Sequence, residues 1–274
     1  MVKLDDKMLR QLQLIQLEML IEVDRICKKC GIKYNIIAGT LLGAIRHGGY
    51  IPWDDDADVA LLRPEYEKFR KAVKTELDTT RFYFQDHRST RGYRWGYGKL
   101  RYKNTLFLRE HQEHMPYQQG IFIDIFPLDH VSDNYLLRCL QNFECFCVRK
   151  VLWSKVGQVA ERNISLQMCY KLLALIPEKV IWKYYHRMVK RTNQKETKWV
   201  RILMFPTPNR SYGYVKRWYQ YSQKVMFEGI LFDGIKEYDA YLSFKFGNYM
   251  ELPSPEKRKV HPVSKLIIQD IQYE

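Results

Sequence analysis

The sequence predicts an α+β protein, with a mixed sheet and flanking helices in residues 1–130 and a mainly helical region in residues 131–274. Short apolar runs of strand length alternate with helical patterns in the first part. From about residue 134 to 194, apolar residues recur every three or four positions, which indicates helices. The charge is also uneven, since Lys and Arg outnumber Asp and Glu by 21 to 18 in the first part and by 24 to 13 in the second.

The first helix is expected to begin after a cap at Asp5 or Asp6 and to end near Cys30, where Gly31 stops it. The elements expected next are a strand at 34–38, a turn at Gly39–Thr40, helical turns at 41–45, a strand at 56–61, a helix at 64–77, strands at 81–85, 96–102 and 120–126, and a helix at 235–246. Pro127 is expected to end the strand before it.

Composition excludes some classes of protein. With 46% apolar and 28% charged residues, the chain is not expected to be disordered. The segment Met1–Asp6 has no apolar run of the kind that a signal peptide needs, and no stretch of 18 apolar residues occurs. The expected location is therefore the cytoplasm, with peripheral attachment at the inner face of the membrane as a further hypothesis.

The net charge of +14 favours anionic partners such as nucleotide diphosphates, phosphorylated glycans and anionic lipid headgroups, although a merely solvated basic surface is an alternative. No recognisable RNA-binding module accompanies the charge, so a nucleic acid partner is not expected.

Four carboxylates, those of Asp54, Asp55, Asp56 and Asp58, lie within five residues. Like charges this close repel one another, and a divalent cation removes that penalty. Mg²⁺ prefers such hard oxygen ligands. If the segment is extended, Asp56 and Asp58 point to one side, Asp54 joins them, and Asp55 points away. The alternative is an exposed acidic turn that precedes a strand.

Asp124 is the second candidate, because it is the only polar residue in the apolar run 121–126. A buried carboxylate without a partner is strongly disfavoured. A neighbouring strand that brings Asp124 to Asp56 and Asp58 would build a site of three carboxylates. The alternative is a core carboxylate paired with Arg or Lys.

The segment from Ile37 to Val59, which contains Gly39–Thr40 and the acidic cluster, resembles the motif of the LicD family. That family contains phosphocholine transferases and is related to fukutin-type sugar phosphotransferases. Matches at 120–129, 238–242 and 246–258 extend the resemblance, while residues 131–230 show no motif.

The resemblance implies a nucleotidyltransferase-like fold of the DNA polymerase β superfamily, with its catalytic core in residues 1–130 and with residues 131–274 completing the donor and acceptor site. Asp56, Asp58 and Asp124 are then the ligands of Mg²⁺, or of Mn²⁺ as an alternative. Asp54 is a further catalytic residue, and Asp124 is the candidate for polarising the acceptor hydroxyl.

The implied reaction moves phosphocholine, or a polyol or sugar phosphate, from a CDP-activated donor to a glycan hydroxyl, and CMP leaves. Family acceptors include teichoic-acid, capsular and lipopolysaccharide sugars, some of them lipid-linked. Two other functions remain open: a nucleotidyltransferase that moves NMP from an NTP, and a non-catalytic binder of anionic glycan.

Six residues are expected to bind substrate. Gly39 and Thr40 are expected to present a backbone N–H and a hydroxyl to the donor phosphates. Arg46, His47, Lys99 and Arg101 are candidates for binding the diphosphate, although an exposed loop and an exposed sheet edge are the alternatives for them. An aromatic cage for choline is a further hypothesis, built from Tyr212, Tyr214, Trp218, Tyr219 and Tyr221.

Overall fold

The computed structural model describes residues 4–207, 209–258 and 260–268. Its α-helices are α1 (Asp6–Cys30), α2 (Ala38–His47), α3 (Arg63–Glu76), α4 (Tyr135–Ala160), α5 (Ile164–Leu173), α6 (Glu178–Thr192), α7 (Lys216–Gln220) and α8 (Tyr238–Phe246), and a 3-10 helix spans Pro255–Lys257. Its strands are β1 (Asn35–Ile36), β2 (Asp58–Leu62), β3 (Phe82–Gln85), β4 (Gly98–Tyr102), β5 (Leu106–Arg109), β6 (Phe122–Val131), β7 (Trp199–Arg201), β8 (Tyr214–Val215), β9 (Ser222–Phe227), β10 (Ile230–Ile235) and β11 (Val263–Ile267).

The main sheet is mixed, with the strand order β3-β4-β6-β2-β1-β10-β9. The pairs β2–β6 and β1–β10 are parallel, and the other pairs on this path are antiparallel. β7 pairs with the end of β6 and with β8, while β5 and β11 form a separate antiparallel pair. The α+β class with a mixed sheet and flanking helices is therefore confirmed.

Helix α1 has the bounds that its sequence predicts. The Asp5 side chain caps it by accepting a hydrogen bond of 2.8 Å from the N–H of Met8. Gly31 ends it in the left-handed conformation, with a φ of 62° that glycine adopts without strain. Apolar side chains on one stripe of α1, including Leu12 and Val23, are fully buried in the main core.

Several strand bounds differ from expectation, and two of them matter for the site. β2 begins only at Asp58, so Asp56 lies in the preceding loop and strand alternation does not decide where its side chain points. β6 continues through Pro127 to Val131. The N–H of Asp124 faces β2, where it bonds to the carbonyl of Ala57, so by alternation position 127 faces the opposite side. On that side the pairing to β4 ends at Ile125 and the pairing to β7 starts at Asp129, so Pro127 needs no donor.

The second part of the chain is only partly helical. Helices α4 to α6 fill residues 135–192 as expected, but strands β7 to β11 follow, so the prediction of a mainly helical second half is wrong beyond residue 192. Residue 235 belongs to β10, and the expected helix begins at Tyr238. The predicted boundary at residue 130 falls inside β6, and β10 joins the central sheet beside β1. Long-range strand pairing of this kind leaves little trace in local periodicity.

Candidate active site

Two glutamines of α1 hold the acidic loop in place. The Gln13 amide donates to the backbone carbonyl of Asp54 at 3.0 Å, and the Gln16 amide donates to that of Asp55 at 2.8 Å. Gln16 also reaches the carbonyl of Phe122 in β6, at 3.2 Å. Both glutamines are buried, so their bonds tie the loop firmly to the sheet. Sequence reasoning missed them, although polar residues on the buried stripe of an amphipathic helix were a signal.

Three charged side chains lie in a row across neighbouring strands. Asp124 on β6 is the register partner of Asp58 on parallel β2 and of Lys99 on antiparallel β4. Side chains in register on adjacent strands lie on the same face, about 5 Å apart. Lys99 forms an ion pair with Oδ1 of Asp124, and both are buried. The expected approach of Asp124 to Asp58 is therefore present, as is a cationic partner for Asp124.

The carboxylates of this cluster are poised to take up positive charge. Burial, followed by the carboxylates of Asp56 and Asp55, raises the pKa of Asp54 well above its ordinary value. Burial, followed by Asp56, Asp124 and Asp54, does the same to the pKa of Asp58. Burial also raises the pKa of Asp56, against the opposing effect of His261. Each shift reports a carboxylate whose charge is not compensated, and a cation among them removes that cost.

Helix α2 presents its N-terminus to the cluster. The N-cap residue Ile37 makes no capping bond, but the N–H of Ala38 donates to the hydroxyl of Tyr241 at 3.3 Å, so in this first turn the N–H groups of Gly39 and Thr40 remain for an anion. A Cβ at Gly39 would lie 2.5 Å from Oδ2 of Asp54, so a side chain at this position would displace that carboxylate. The hydroxyl oxygen of Thr40 accepts a hydrogen bond of 2.8 Å from the N–H of Asp58, which fixes the start of β2. Thr40 is thus placed to position Asp58.

Asp55 lies before β2, so strand alternation does not set its direction; its carboxylate meets a residue 206 positions further along the chain. His261 bonds Asp55 through its ring Nδ1 at 2.9 Å and through its backbone N–H at 3.0 Å. The same Nδ1 lies 3.7 Å from Oδ2 of Asp56. Ligand atoms of Asp55, Asp56 and His261 lie within 4.8 Å of one another, a spacing suited to a metal ion. Nothing local in the sequence marks His261.

A cavity of about 280 Å³ opens beside Lys99, between β4, β5, α4 and the segment after β7. Its cations are Arg94, Lys99, Arg101, Arg109, Arg149 and Lys150, and its aromatic side chains are Trp95, Tyr97, Phe107, Phe122, Trp153 and Phe205. No Asp or Glu is among the described residues that line it. Arg109 Nε and Arg149 Nη1 are buried there without a hydrogen-bond partner in the described chain. Buried, unpaired guanidinium atoms favour an anionic ligand.

Lys99 and Arg101 are buried on an inner strand, so the alternative of an exposed sheet edge does not hold for them. Burial lowers the pKa of Lys99 to about 7, although Asp124 opposes the shift. Arg101 donates to the Gln85 side chain at 2.6 Å and to the carbonyl of Gly120 at 2.7 Å. It therefore also supports one wall of the cavity.

Arg46 and His47 occupy the end of α2. The Arg46 guanidinium donates to the backbone carbonyls of Tyr249 and Glu251, at 2.6 and 3.1 Å, and so anchors the C-terminal segment. His47 is exposed and packs its ring edge-to-face with Trp53, at 6.3 Å between centroids. Their expected contact with a diphosphate remains a prediction.

The aromatic cage for choline is wrong in this form. Tyr214, Trp218 and Tyr219 are buried in the main core, where they pack on Tyr241 of α8. Aromatic side chains with no exposed face cannot surround an ammonium group. The aromatic residues that line a cavity are those beside Lys99.

A sheet that gathers carboxylates beside a cavity lined by cations is typical of enzymes that act on phosphorylated substrates. Residues 31–142, which include the acidic loop, β2, β4 and β6, match the family model described as LicD/FKTN/FKRP, nucleotidyltransferase domain. Residues 31–142 therefore form a domain of the LicD family.

The chain is similar over nearly its whole length to a curated protein, the lipopolysaccharide cholinephosphotransferase LicD of Haemophilus influenzae. The two are 24% identical over 280 residues, which cover 95% of this chain and 98% of that protein. An uncharacterized protein of Rickettsia typhi is 47% identical over 45 residues, or 16% of this chain and 15% of the relative. An uncharacterized protein of Rickettsia prowazekii is 54% identical over 37 residues, or 14% of each chain.

Proposed function

We propose that this protein transfers phosphocholine, or a related polyol or sugar phosphate, from a CDP-activated donor to a hydroxyl of a cell-surface glycan. The observation that carries the proposal is the register of β2, β6 and β4, which aligns Asp58, Asp124 and Lys99 between the acidic loop and the basic cavity. The name of the full-length relative supports the transferred group and the glycan acceptor.

The acidic cluster fits a magnesium ion. It offers hard carboxylate oxygens, which Mg²⁺ prefers, and burial and mutual repulsion raise the pKa values of Asp54, Asp56 and Asp58. We propose that Asp56, Asp58 and Asp124 hold Mg²⁺, with Mn²⁺ as a substitute, and that Asp54 supports them. When bound, the ion neutralises charge on the transferring phosphate and lowers the pKa of a coordinated hydroxyl.

The chain itself supplies the binding groups for the donor. The N-terminus of α2 supplies the backbone N–H groups of Gly39 and Thr40 and a partial positive charge for a donor phosphate, while Tyr241 holds the N–H of Ala38. Lys99, Arg109 and Arg149 line the cavity on the other side and bring further positive charge to the diphosphate. The cavity volume of about 280 Å³ suits part of a ligand, such as the diphosphate with a small head group, rather than a whole CDP-linked donor.

Asp124 is proposed to orient the acceptor hydroxyl. Lys99 binds its Oδ1, so Oδ2 is the oxygen assigned to accept the hydrogen bond from the incoming hydroxyl. The ion pair also fixes the carboxylate on a rigid strand, and a fixed carboxylate holds the nucleophile in line with the phosphate. Lys99 is thus a positioning residue for Asp124 as well as a lining residue of the cavity.

The test is product analysis with purified protein. CDP-choline, CDP-ribitol and CDP-glycerol would each be incubated with Mg²⁺ and lipopolysaccharide or teichoic acid, and CMP release would be followed by chromatography. We expect CMP with at least one donor, and a loss of about 10²–10⁴-fold in Asp58→Asn and Asp124→Asn. Asp233→Asn is the matched control, because this Asp pairs with Lys224 in the strand pair β9–β10 at one edge of the sheet.

Two results would overturn the proposal. The first is pyrophosphate release from an NTP with no turnover of any CDP-linked donor, which would assign nucleotidyl transfer instead. The second is that the wild type releases no CMP while Asp58→Asn binds glycan as well as the wild type does. That result would assign a non-catalytic glycan-binding protein.

A further inference from the structure

The apolar stripe of α4 faces solvent. Leu136, Leu140 and Phe143 are 72%, 66% and 65% exposed, and Cys147 is exposed as well. Their spacing of four, three and four places all of them on one side of the helix. Sequence periodicity alone would assign such a stripe to a core, yet here nothing in the described chain covers it.

Helices α5 and α6 also expose apolar side chains. Ile164 and Leu172 of α5 are 77% and 64% exposed, and Leu175, just after this helix, is 76% exposed. An apolar groove of about 480 Å³ joins α4 to α6, with Phe143, Cys147, Val180 and Tyr184 in its walls. The α4–α6 face is the exposed apolar surface made of Leu136, Leu140, Phe143, Cys147, Ile164, Met168, Leu172, Leu175, Val180 and Tyr184. Exposed apolar area of this extent marks an interaction surface.

The charge around this face is mainly positive. Residues 135–192 contain eleven Lys and Arg but only three Glu. Lys171, Lys183 and Arg187 are exposed and lie on the same sides of α5 and α6 as the apolar residues. Glu144, which borders the groove, is bound by Arg191 and Tyr184, so its charge is already compensated. An anionic surface with an apolar interior complements this pattern.

We propose that the α4–α6 face binds the surface of a bilayer rich in anionic phospholipid, with its leucines in the interface and its lysines at the headgroups. Long basic side chains that extend past apolar neighbours are typical of such contacts. No helix in the part of the chain that the structure describes is long and apolar enough to cross a membrane. The binding is therefore interfacial, with the helices parallel to the bilayer.

A second copy of this chain fits the face less well. Two copies would bring the same basic surfaces together, and like charges at an interface oppose association.

The bilayer also explains the two sides of α4. Arg149, Leu152 and Trp153 line the cavity beside Lys99, whereas the apolar stripe points to another side of the helix. One helix thus connects the proposed membrane contact to the catalytic cavity.

The first test is vesicle sedimentation, which does not depend on any catalytic assignment. The full-length protein would be mixed with vesicles of phosphatidylcholine, with and without 30% phosphatidylglycerol, at about 50 and 500 mM salt. We expect binding only to the anionic vesicles, weakened by salt. Leu140→Ser/Leu172→Ser should bind about 100-fold more weakly, at about tenfold per leucine removed from the interface. Lys171→Gln/Lys183→Gln should bind roughly 30-fold more weakly, at about 1 kcal/mol per lysine.

The matched control is Leu231→Ser/Leu252→Ser, which removes two leucines that are 48% and 58% exposed outside the α4–α6 face. This variant should bind like the wild type. All the substituted side chains are exposed, so every variant should keep the far-UV circular dichroism and melting temperature of the wild type. Equal binding by the Leu140/Leu172 variant and this control would overturn the proposal.

The second test uses native thiols as probes. Cys147 lies in the α4–α6 face, and Cys30 is exposed at the end of α1. An NBD label would be placed on one of these, with the other exposed cysteines changed to Ser. Anionic vesicles should shift the emission of the Cys147 label to the blue and leave the Cys30 label unchanged. An unchanged emission of the Cys147 label would refute a membrane contact. So would a wild type that binds no vesicles but forms a concentration-dependent dimer, if Leu140→Ser/Leu172→Ser abolishes that dimer.

Discussion

Removing one carboxylate from the acidic cluster should stabilise the metal-free protein. Asp58 is half-buried, it is the register partner of Asp124, and its pKa is raised by burial and by Asp56, Asp124 and Asp54. Asp58→Asn keeps the shape of the side chain and removes its charge. If Asp58 serves a metal site, Asp58→Asn should raise the stability of the metal-free protein. If Asp58 instead serves the fold, the same substitution should lower it.

The magnitude follows from the spacing of the strands. Two carboxylates about 5 Å apart repel by about 3 kcal/mol at an effective dielectric constant of about 20. Relief of one such pair raises the melting temperature by up to about 6 °C, at roughly 2 °C per kcal/mol in a chain of this size. Mg²⁺ at 100 times its dissociation constant should stabilise the wild type by about 2.7 kcal/mol. A tenfold loss of affinity reduces this stabilisation to about 1.4 kcal/mol.

The assay is thermal unfolding followed by circular dichroism, in EDTA and in saturating MgCl₂. Asp58→Asn should melt above the wild type in EDTA and should gain about half as much from Mg²⁺. Asp233→Asn, the carboxylate variant outside the cluster, should lose stability or stay level in EDTA and respond to Mg²⁺ like the wild type. A lower melting temperature of Asp58→Asn in EDTA, together with an undiminished Mg²⁺ effect, would refute the reasoning.

Three further predictions concern other parts of the molecule. His261→Ala removes the ring that orients Asp55, and calorimetry should show Mg²⁺ binding about 10- to 100-fold weaker at nearly constant stability. An unchanged affinity would show that His261 does not support the metal site. His87 is half-buried and stacks on Trp182, both its ring nitrogens are buried and unpaired in the described chain, and burial lowers its pKa to about 3. Because the unfolded state then binds the proton near pH 6.5 and the folded state only near pH 3, stability is lost as pH falls through this window. His87→Phe should therefore lose about 2 kcal/mol less than the wild type between pH 7 and 5 in urea unfolding, and parallel profiles would contradict this. Arg63→Met leaves the fully buried Asp129 without its bidentate partner and should lower the free energy of unfolding in urea by about 3–5 kcal/mol. The double variant Arg63→Met/Asp129→Leu should recover most of that stability, and a small loss in the single variant would argue against a buried charge.

The sequence alone determined the features that depend on interactions within a few residues. The bounds of α1 follow from a capping aspartate and a terminal glycine, both of which act within a few residues. Asp124 stands out because a lone carboxylate in an apolar strand needs a partner. The structure supplies both partners on adjacent strands, Asp58 and Lys99, and so combines the two alternatives that the sequence left open.

The tertiary structure alone decided the rest, because it depends on contacts between distant positions. No local pattern joins His261 to Asp55, 206 residues earlier, or pairs β10 with β1 in the central sheet. The stripe of α4 shows the limit most clearly. Periodicity reports that its apolar residues share one side of a helix, but whether protein, lipid or water meets that side depends on what the remainder of the chain covers.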